Sequence, residues 1–218
     1  MGHSVGTPTG LLSSLALVAM AVRVTRVVRL NRAVIAEAPD QRITIVDTPE
    51  PLAYAVPRGE GCVVVSTGLL AALDPRERQV VFAHERAHLR QHHHRFLLVA
   101  AIAQAALPPL KPLLAQLRHA TERCADEEAV AAMSGDRSIV ATAIARAALH
   151  TTSFRTPLPA FGGGTVPARV QALVGQRPEA AIVGAAAGFA IIAAIAIAGG
   201  ASLQIHHLYA VYDHVCRN

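Results

Sequence analysis

The stretch from Val80 to Arg95, VVFAHERAHLRQHHHR, contains the pattern H-E-x-x-H at residues 84–88. Positions four apart point the same way on an α-helix, because each residue turns the chain by about 100°. His84 and His88 can therefore bind one metal ion together, while Glu85 faces a water molecule on that ion. Neutral imidazole suits zinc, and a catalytic zinc has three protein ligands and one open position. The pattern predicts a zinc site with Glu85 as general base.

The residues before the motif predict where its helix begins. Asp74 is a good capping residue, Pro75 suits the first helical position, and Glu77 completes the pattern of a capping box. A surface helix that is merely rich in histidine is the alternative. The helix-start signals favour the metal site.

The chain beyond the motif predicts a helical hairpin. Phe96–Leu107 is apolar, three prolines in Leu107–Pro112 break the helix, and Leu113–Ala132 has a helical pattern again. Folding about that turn brings Glu122 and Asp126, which share a helix face, back towards the motif. Glu122 is the predicted third ligand, and Asp126 is predicted to accept a hydrogen bond from the free ring N–H of a ligand histidine. A solvated helix face is the alternative for this pair.

A rival third ligand is His94, six residues after His88, which matches the spacing of the metzincin pattern. That pattern breaks its helix with a glycine, and Gln91 stands in its place. If the helix continues, His94 points about 240° away from His88. His92, His93 and His94 are then predicted to be interfacial or solvated, with a second metal site or a pH-sensing role as the alternative.

Short β-prone runs precede the helix between Arg42 and Ser66. They predict a small sheet. Leu52–Val56 is the candidate strand nearest the site, where an exposed edge could bind an extended peptide by main-chain hydrogen bonds. Ordinary sheet packing is an equal alternative for that strand.

The segment after the hairpin continues the predicted core. Ser138–Leu149 reads as an amphipathic helix, Thr151–Pro167 as a flexible loop, and Val166–Leu173 as a short helix near the site. Arg169 and His150 are candidates for stabilising an oxyanion, although a structural role is the favoured prediction.

Five motifs follow one another along the chain: AYAVP at 53–57, VVVSTGLL at 63–70, LDP at 73–75, AHERAHL at 83–89 and ERCADE at 122–127. As an ordered set they resemble the BlaR/MecR-type integral-membrane zinc metallopeptidases, especially the short actinobacterial members, over about residues 30–175. The resemblance implies an α+β, mostly α fold: a gluzincin-like metallopeptidase core with a small β-sheet and flanking transmembrane helices. It also implies one zinc ion per chain on His84, His88 and Glu122, with Glu85 as catalytic base.

The same resemblance implies a function at the membrane. Such peptidases act in signalling pathways that remove a transcriptional repressor, so the expected partner is a protein substrate of that kind. The antibiotic-sensing role is not carried over, because no penicillin-binding domain follows the last apolar stretch and one candidate anchor precedes the core. The alternatives are an HtpX/Ste24-like membrane quality-control peptidase and a non-catalytic metal-binding signalling adaptor.

Two apolar stretches predict contact with a lipid bilayer. Val5–Val22 has no charged residue and precedes four arginines, and Ala180–Gln204 has none over 25 positions. A signal peptide is the alternative for the first stretch, and a buried helix for the second. The predicted organisation is an anchor with a basic juxtamembrane segment at 1–32, a peptidase core at 33–178, and a transmembrane helix with a short tail at 179–218. The positive-inside tendency favours a multi-pass protein of the cell membrane with a cytoplasmic core.

Composition agrees with this organisation. Apolar residues make up 52% of the chain and charged residues 16%, and the net charge is +5. The arginines at 23, 26, 29 and 32 fit an anionic lipid surface, and no reading helix or aromatic platform for nucleic acid accompanies them. Direct nucleic-acid binding is therefore not expected. The three cysteines form no C-x-x-C pair, which favours a reducing compartment.

Overall fold

The computed structural model describes residues 6–150 and 166–175. Three strands, β1 (Ile43–Val46), β2 (Ala53–Val56) and β3 (Cys62–Ser66), lie among seven helices. The helices of this described part are α1 (Gly6–Glu37), α2 (Thr67–Ala72), α3 (Pro75–Arg90), α4 (His93–Ala106), α5 (Lys111–Ala132), α6 (Arg137–His150) and α7 (Val166–Val174), with a short 3-10 turn at Pro108–Leu110. The mostly helical α+β architecture is as predicted.

The sheet has the order β1-β3-β2, with β1 parallel and β2 antiparallel to the central strand. All five residues of β3 are buried. A central strand with Val63, Val64 and Val65 in succession is apolar on both faces because both faces are covered. Strand β2 is an edge strand of the sheet, and it contacts α3.

Helix α3 begins with the predicted capping box. The Asp74 side chain accepts hydrogen bonds from the backbone N–H groups of Arg76 and Glu77, each 2.9 Å long. The Glu77 carboxylate in turn accepts one from the Asp74 N–H, also at 2.9 Å. Glu77 is 1% exposed and also accepts from Arg146 of α6 at 2.8 Å. The cap therefore fixes both the start of α3 and its contact with α6.

The predicted hairpin is present: α4 and α5 pack against each other on either side of the 3-10 turn, and α5 also packs along α3. Ala87 on α3 and Ala125 and Ala129 on α5 are completely buried. Such small side chains let helix backbones approach closely. Val80 of α3 belongs to a core cluster with Ala129 and with residues of α6 and α7.

The chain does not stay helical through Gln91. Helix α3 ends at Arg90, and His92 adopts a left-handed backbone conformation with φ 53° before α4 begins. The prediction that all three following histidines are interfacial or solvated is wrong for His93, which is 4% exposed. The ring of His94 contacts that of His92 and does not join the metal-binding pair.

The predicted N-terminal anchor falls largely on α1. Across residues 6–150 and 166–175, however, no helix combines the length and apolarity that a bilayer crossing requires. The predicted span at 180–204 and most of the predicted loop at 151–167 lie outside the described residues.

Candidate metal centre

Three predicted ligands converge in the structure. The Nε2 atoms of His84 and His88 lie 3.2 Å apart. One Glu122 carboxylate oxygen lies 3.5 Å from His84 Nε2, and the other lies 3.5 Å from His88 Nε2. The two histidines come from successive turns of α3, and Glu122 comes from the neighbouring α5. One ligand atom from each residue lies within 4.8 Å of the other two.

These spacings fit a zinc ion. With zinc–ligand bonds of 2.0–2.2 Å and tetrahedral angles, ligand atoms sit about 3.4 Å apart. The distances between the imidazole nitrogens and the carboxylate oxygens match that value closely. Two neutral imidazoles and one carboxylate are also a donor set of catalytic zinc sites, which keep a fourth position open.

Glu85 lies beside the triad, held by the edge strand. The backbone N–H of Ala55 in β2 donates a hydrogen bond to its carboxylate. Burial raises the pKa of Glu85 to about 7, against the opposing effect of the positive charge on His84. A carboxylate whose pKa lies near neutrality can both accept and return a proton at physiological pH.

Asp126 lies behind the first histidine, as the sequence predicts. Its Oδ1 is 3.0 Å from His84 Nδ1. The distance is that of a hydrogen bond, although the angle at the ring nitrogen is outside the range of a well-formed one. Because Asp126 is 2% exposed, water competes little for this contact.

Arg169 of α7 connects the two acidic residues. Its guanidinium donates to both oxygens of Asp126, at 2.9 and 2.5 Å, and lies 2.8 Å from Glu122 Oε2. These contacts agree with the favoured prediction of a structural role for Arg169. His150, the other candidate, is the last residue of α6, and its side chain lies outside the described part.

The electrostatics show how the metal-free site carries its charge. Burial alone would lower the pKa of His84, but contacts with Asp126 and Glu122 outweigh it and raise the pKa to about 10. Burial and the charge on His84 lower the pKa of His88 to about 3. Burial opposes ionisation of Glu122, yet the hydrogen bond and charge of His84 hold the pKa of Glu122 well below its usual range. One proton on His84 thus takes the place of a cation, and metal binding would release it.

His93 belongs to the site, although it is not among the predicted site residues. Nδ1 of His93 lies 2.9 Å from Nδ1 of His88. On a continuous helix, positions 88 and 93 would point about 140° apart, so periodicity gives no signal for this contact. The left-handed turn at His92 creates it.

Comparison with known proteins agrees with this geometry. Residues 21–154, more than half of the chain, match the family described as Peptidase family M48. The chain belongs to this family. M48 peptidases are gluzincin-type zinc metallopeptidases, so this M48 chain is placed among enzymes that hydrolyse peptide bonds.

Curated relatives of this M48 chain are named "Protease HtpX homolog". The protein of Limosilactobacillus fermentum is 35% identical over 79 residues, which are 35% of this chain and 26% of the relative. The protein of Thermodesulfovibrio yellowstonii is 37% identical over 70 residues, 31% of this chain and 24% of the relative. The matches thus span about a quarter of the length of these relatives. No solved structure matches significantly.

Proposed function

We propose that this chain is a membrane-anchored zinc-dependent endopeptidase. One zinc ion is held by His84, His88 and Glu122, and Glu85 is the catalytic base. The observation that carries the proposal is the spacing of 3.2–3.5 Å between the two imidazole nitrogens and the carboxylate of the third ligand. The partly buried Glu85 beside them supplies the general base, which is the second requirement of peptide hydrolysis.

Each residue has a defined part in the reaction. When bound, zinc polarises the scissile carbonyl and lowers the pKa of the attacking water. Glu85 accepts the proton of that water and returns it to the leaving amine, and the Ala55 N–H keeps its carboxylate in place. Asp126 holds the His84 ring, and Arg169 holds the Glu122 carboxylate.

The substrate is proposed to be an extended segment of a protein. Strand β2 is an edge strand, and its residue Ala55 contacts Glu85. A peptide added alongside β2 would place a main-chain carbonyl near the catalytic carboxylate. Strand addition uses backbone hydrogen bonds, so it would accept many sequences.

Two biological roles suit such an enzyme. The ordered motifs from residue 53 to residue 127 support regulated cleavage of a signalling protein, such as a transcriptional repressor, in the manner of BlaR/MecR-type peptidases. The relatives named protease HtpX homologs favour the second role, a quality-control peptidase of the HtpX/Ste24 kind. The substrates separate the two roles. Cleavage of a single folded repressor would support the signalling role, and degradation of many misfolded membrane proteins would support the quality-control role.

Location in the cell membrane, with the core on the cytoplasmic side, belongs to the same proposal. The apolar stretches at 5–22 and 180–204 and the arginines that follow the first of them support it. On α1, Leu15, Leu17 and Val18 are 59–66% exposed, as expected of side chains that face lipid. The lipid bilayer and a protein substrate are the partners this proposal names.

Two substitutions test the enzymatic part. Glu85→Gln should retain one equivalent of zinc and reduce cleavage of unstructured peptides by at least about 100-fold, because the base is lost while the ligands remain. Glu122→Ala should lose both stoichiometric zinc and cleavage. Glu127→Gln is the matched control, since Glu127 lies on the same helix and pairs with Arg137 on the outer face.

Metal analysis and peptide mass spectrometry give the readouts. Full proteolysis by the Glu85→Gln variant would refute the assignment of the base. Stoichiometric zinc without any cleavage by the unmodified protein would favour the signalling adaptor instead.

A further inference from the structure

His93 occupies a position next to the metal ligands that the reaction described above does not use. Its side chain is buried, and its ring lies against His88 with the two ring centres 4.9 Å apart. Each ring nitrogen of His93 has one polar partner. Nδ1 is 2.9 Å from His88 Nδ1, and Nε2 is 3.0 Å from Gln91 Oε1.

The direction of these hydrogen bonds follows from the chemistry of imidazole. His88 presents Nε2 to Glu122, so a metal ion at that place requires a lone pair on Nε2. The proton of neutral His88 must then be on Nδ1, where it can only be donated to His93. Nδ1 of His93 is consequently the acceptor, and its own proton is on Nε2 and is donated to Gln91.

The amide of Gln91 is oriented to receive that proton. Its Oε1 also accepts from the Cys124 thiol at 2.8 Å, while its Nε2 donates to Glu128 Oε1 at 2.8 Å. In the series His88, His93, Gln91 and Glu128, each residue therefore donates a hydrogen bond to the next. No ring in this series needs to be charged.

We propose that His93 is a positioning residue for the zinc ligand His88: it accepts the Nδ1–H of His88 and so fixes the tautomer whose Nε2 lone pair faces the ion. The inference rests on the metal role proposed above. Asp126 has the corresponding place behind His84, so each histidine of the motif has its own partner. The partner of His88 is neutral and adds no negative charge to the site.

The backbone supports this role. His92 has φ 53°, a conformation that a residue with a side chain adopts at a cost of about 1 kcal/mol or more. Without this turn, α3 would continue and carry position 93 away from His88. The left-handed conformation of His92 therefore directs the His93 side chain towards the ligand His88.

The test is the zinc dissociation constant, measured by competition with a chromophoric chelator. His93→Phe keeps a ring of similar size but removes the acceptor, so zinc should bind about 10- to 100-fold more weakly. His93→Asn restores an acceptor near the position of Nδ1 and should bind zinc within a few-fold of the unmodified protein. His94→Phe is the control, because His94 is the adjacent histidine and its ring lies against that of His92.

The outcomes separate the two proposals. If the unmodified protein binds no zinc, the proposed metal role fails. If it binds zinc and His93→Phe binds it equally well, the inference about His93 fails alone. Equal weakening by Phe and Asn would indicate packing and would also overturn it.

A measurement on the unmodified protein needs no variant. Ring nitrogen NMR of the zinc-loaded protein should show His88 protonated at Nδ1 and His93 protonated at Nε2. A proton on Nδ1 of His93 would overturn the inference.

Discussion

Replacing Arg169 by methionine should be among the most destabilising substitutions in the described part of the chain. The guanidinium makes two hydrogen bonds to Asp126 and a third contact to Glu122. The side chains of Arg169 and Asp126 are 12% and 4% exposed. Methionine fills much of the same volume, but it leaves the buried Asp126 carboxylate and the partly buried Glu122 carboxylate with protonated His84 as their remaining cation.

The size of the effect follows from a comparison within the same protein. Breaking a buried ion pair by removing one partner costs about 3–5 kcal/mol. Arg137 and Glu127 form a second bidentate pair, with side chains 36% and 41% exposed, and an exposed pair contributes about 0–1 kcal/mol. Arg169→Met should thus lower the melting temperature by roughly 6–20 °C, and Arg137→Met by no more than about 4 °C.

The dependence on pH gives a second readout. Burial opposes ionisation of Asp126, but the hydrogen bonds from Arg169 and the close contact with the protonated His84 ring outweigh it and lower the pKa of Asp126 below its usual 3.8. A lowered carboxyl pKa contributes stability above pH 3.8 that is lost as the pH falls through the lowered value. The difference in unfolding free energy between the unmodified protein and Arg169→Met should therefore be largest at pH 7 and become smaller below about pH 4.

Thermal unfolding of the purified full chain, followed by circular dichroism, measures both effects. Adding Asp126→Asn to the Arg169→Met variant should recover part of the loss, because a neutral amide costs less to bury than an unpaired carboxylate. If Arg169→Met costs no more than Arg137→Met, the assignment of a buried ion pair is refuted.

Two further predictions concern the base and the first turn of α2. In the metal-free protein, the carboxyl of Glu85 should titrate near pH 7 in carbon-detected NMR. Zinc should lower that pKa, because a nearby cation favours the carboxylate. A pKa that zinc leaves unchanged would place Glu85 away from the ion. Gly68→Ala should cost roughly 2–3 kcal/mol of unfolding free energy, because the new methyl carbon would lie 2.1 Å from the backbone oxygen of Pro49. Gly59→Ala, with φ 57° and open space around it, should cost only about 1 kcal/mol in the same denaturation assay, and equal costs would contradict the close approach at Gly68.

The sequence by itself determined the features that depend on neighbouring residues. The capping box at Asp74 fixed the start of α3, and the four-residue spacing placed two imidazoles on one side of it. Three prolines after Leu107 predicted the turn that returns Glu122 to the motif. Such features follow from helix geometry and capping, which involve residues only a few positions apart.

The tertiary structure decided the contacts made across long separations or through an irregular backbone. Arg169 is 43 residues from Asp126 along the chain, and no local pattern pairs them. His93 reaches His88 only because His92 takes a left-handed conformation, which packing of α4 against its neighbours must stabilise. A repeating pattern describes regular helices and strands, so Asp126 could be predicted, whereas the partners of Glu122 and His88 became visible only once the chain was folded.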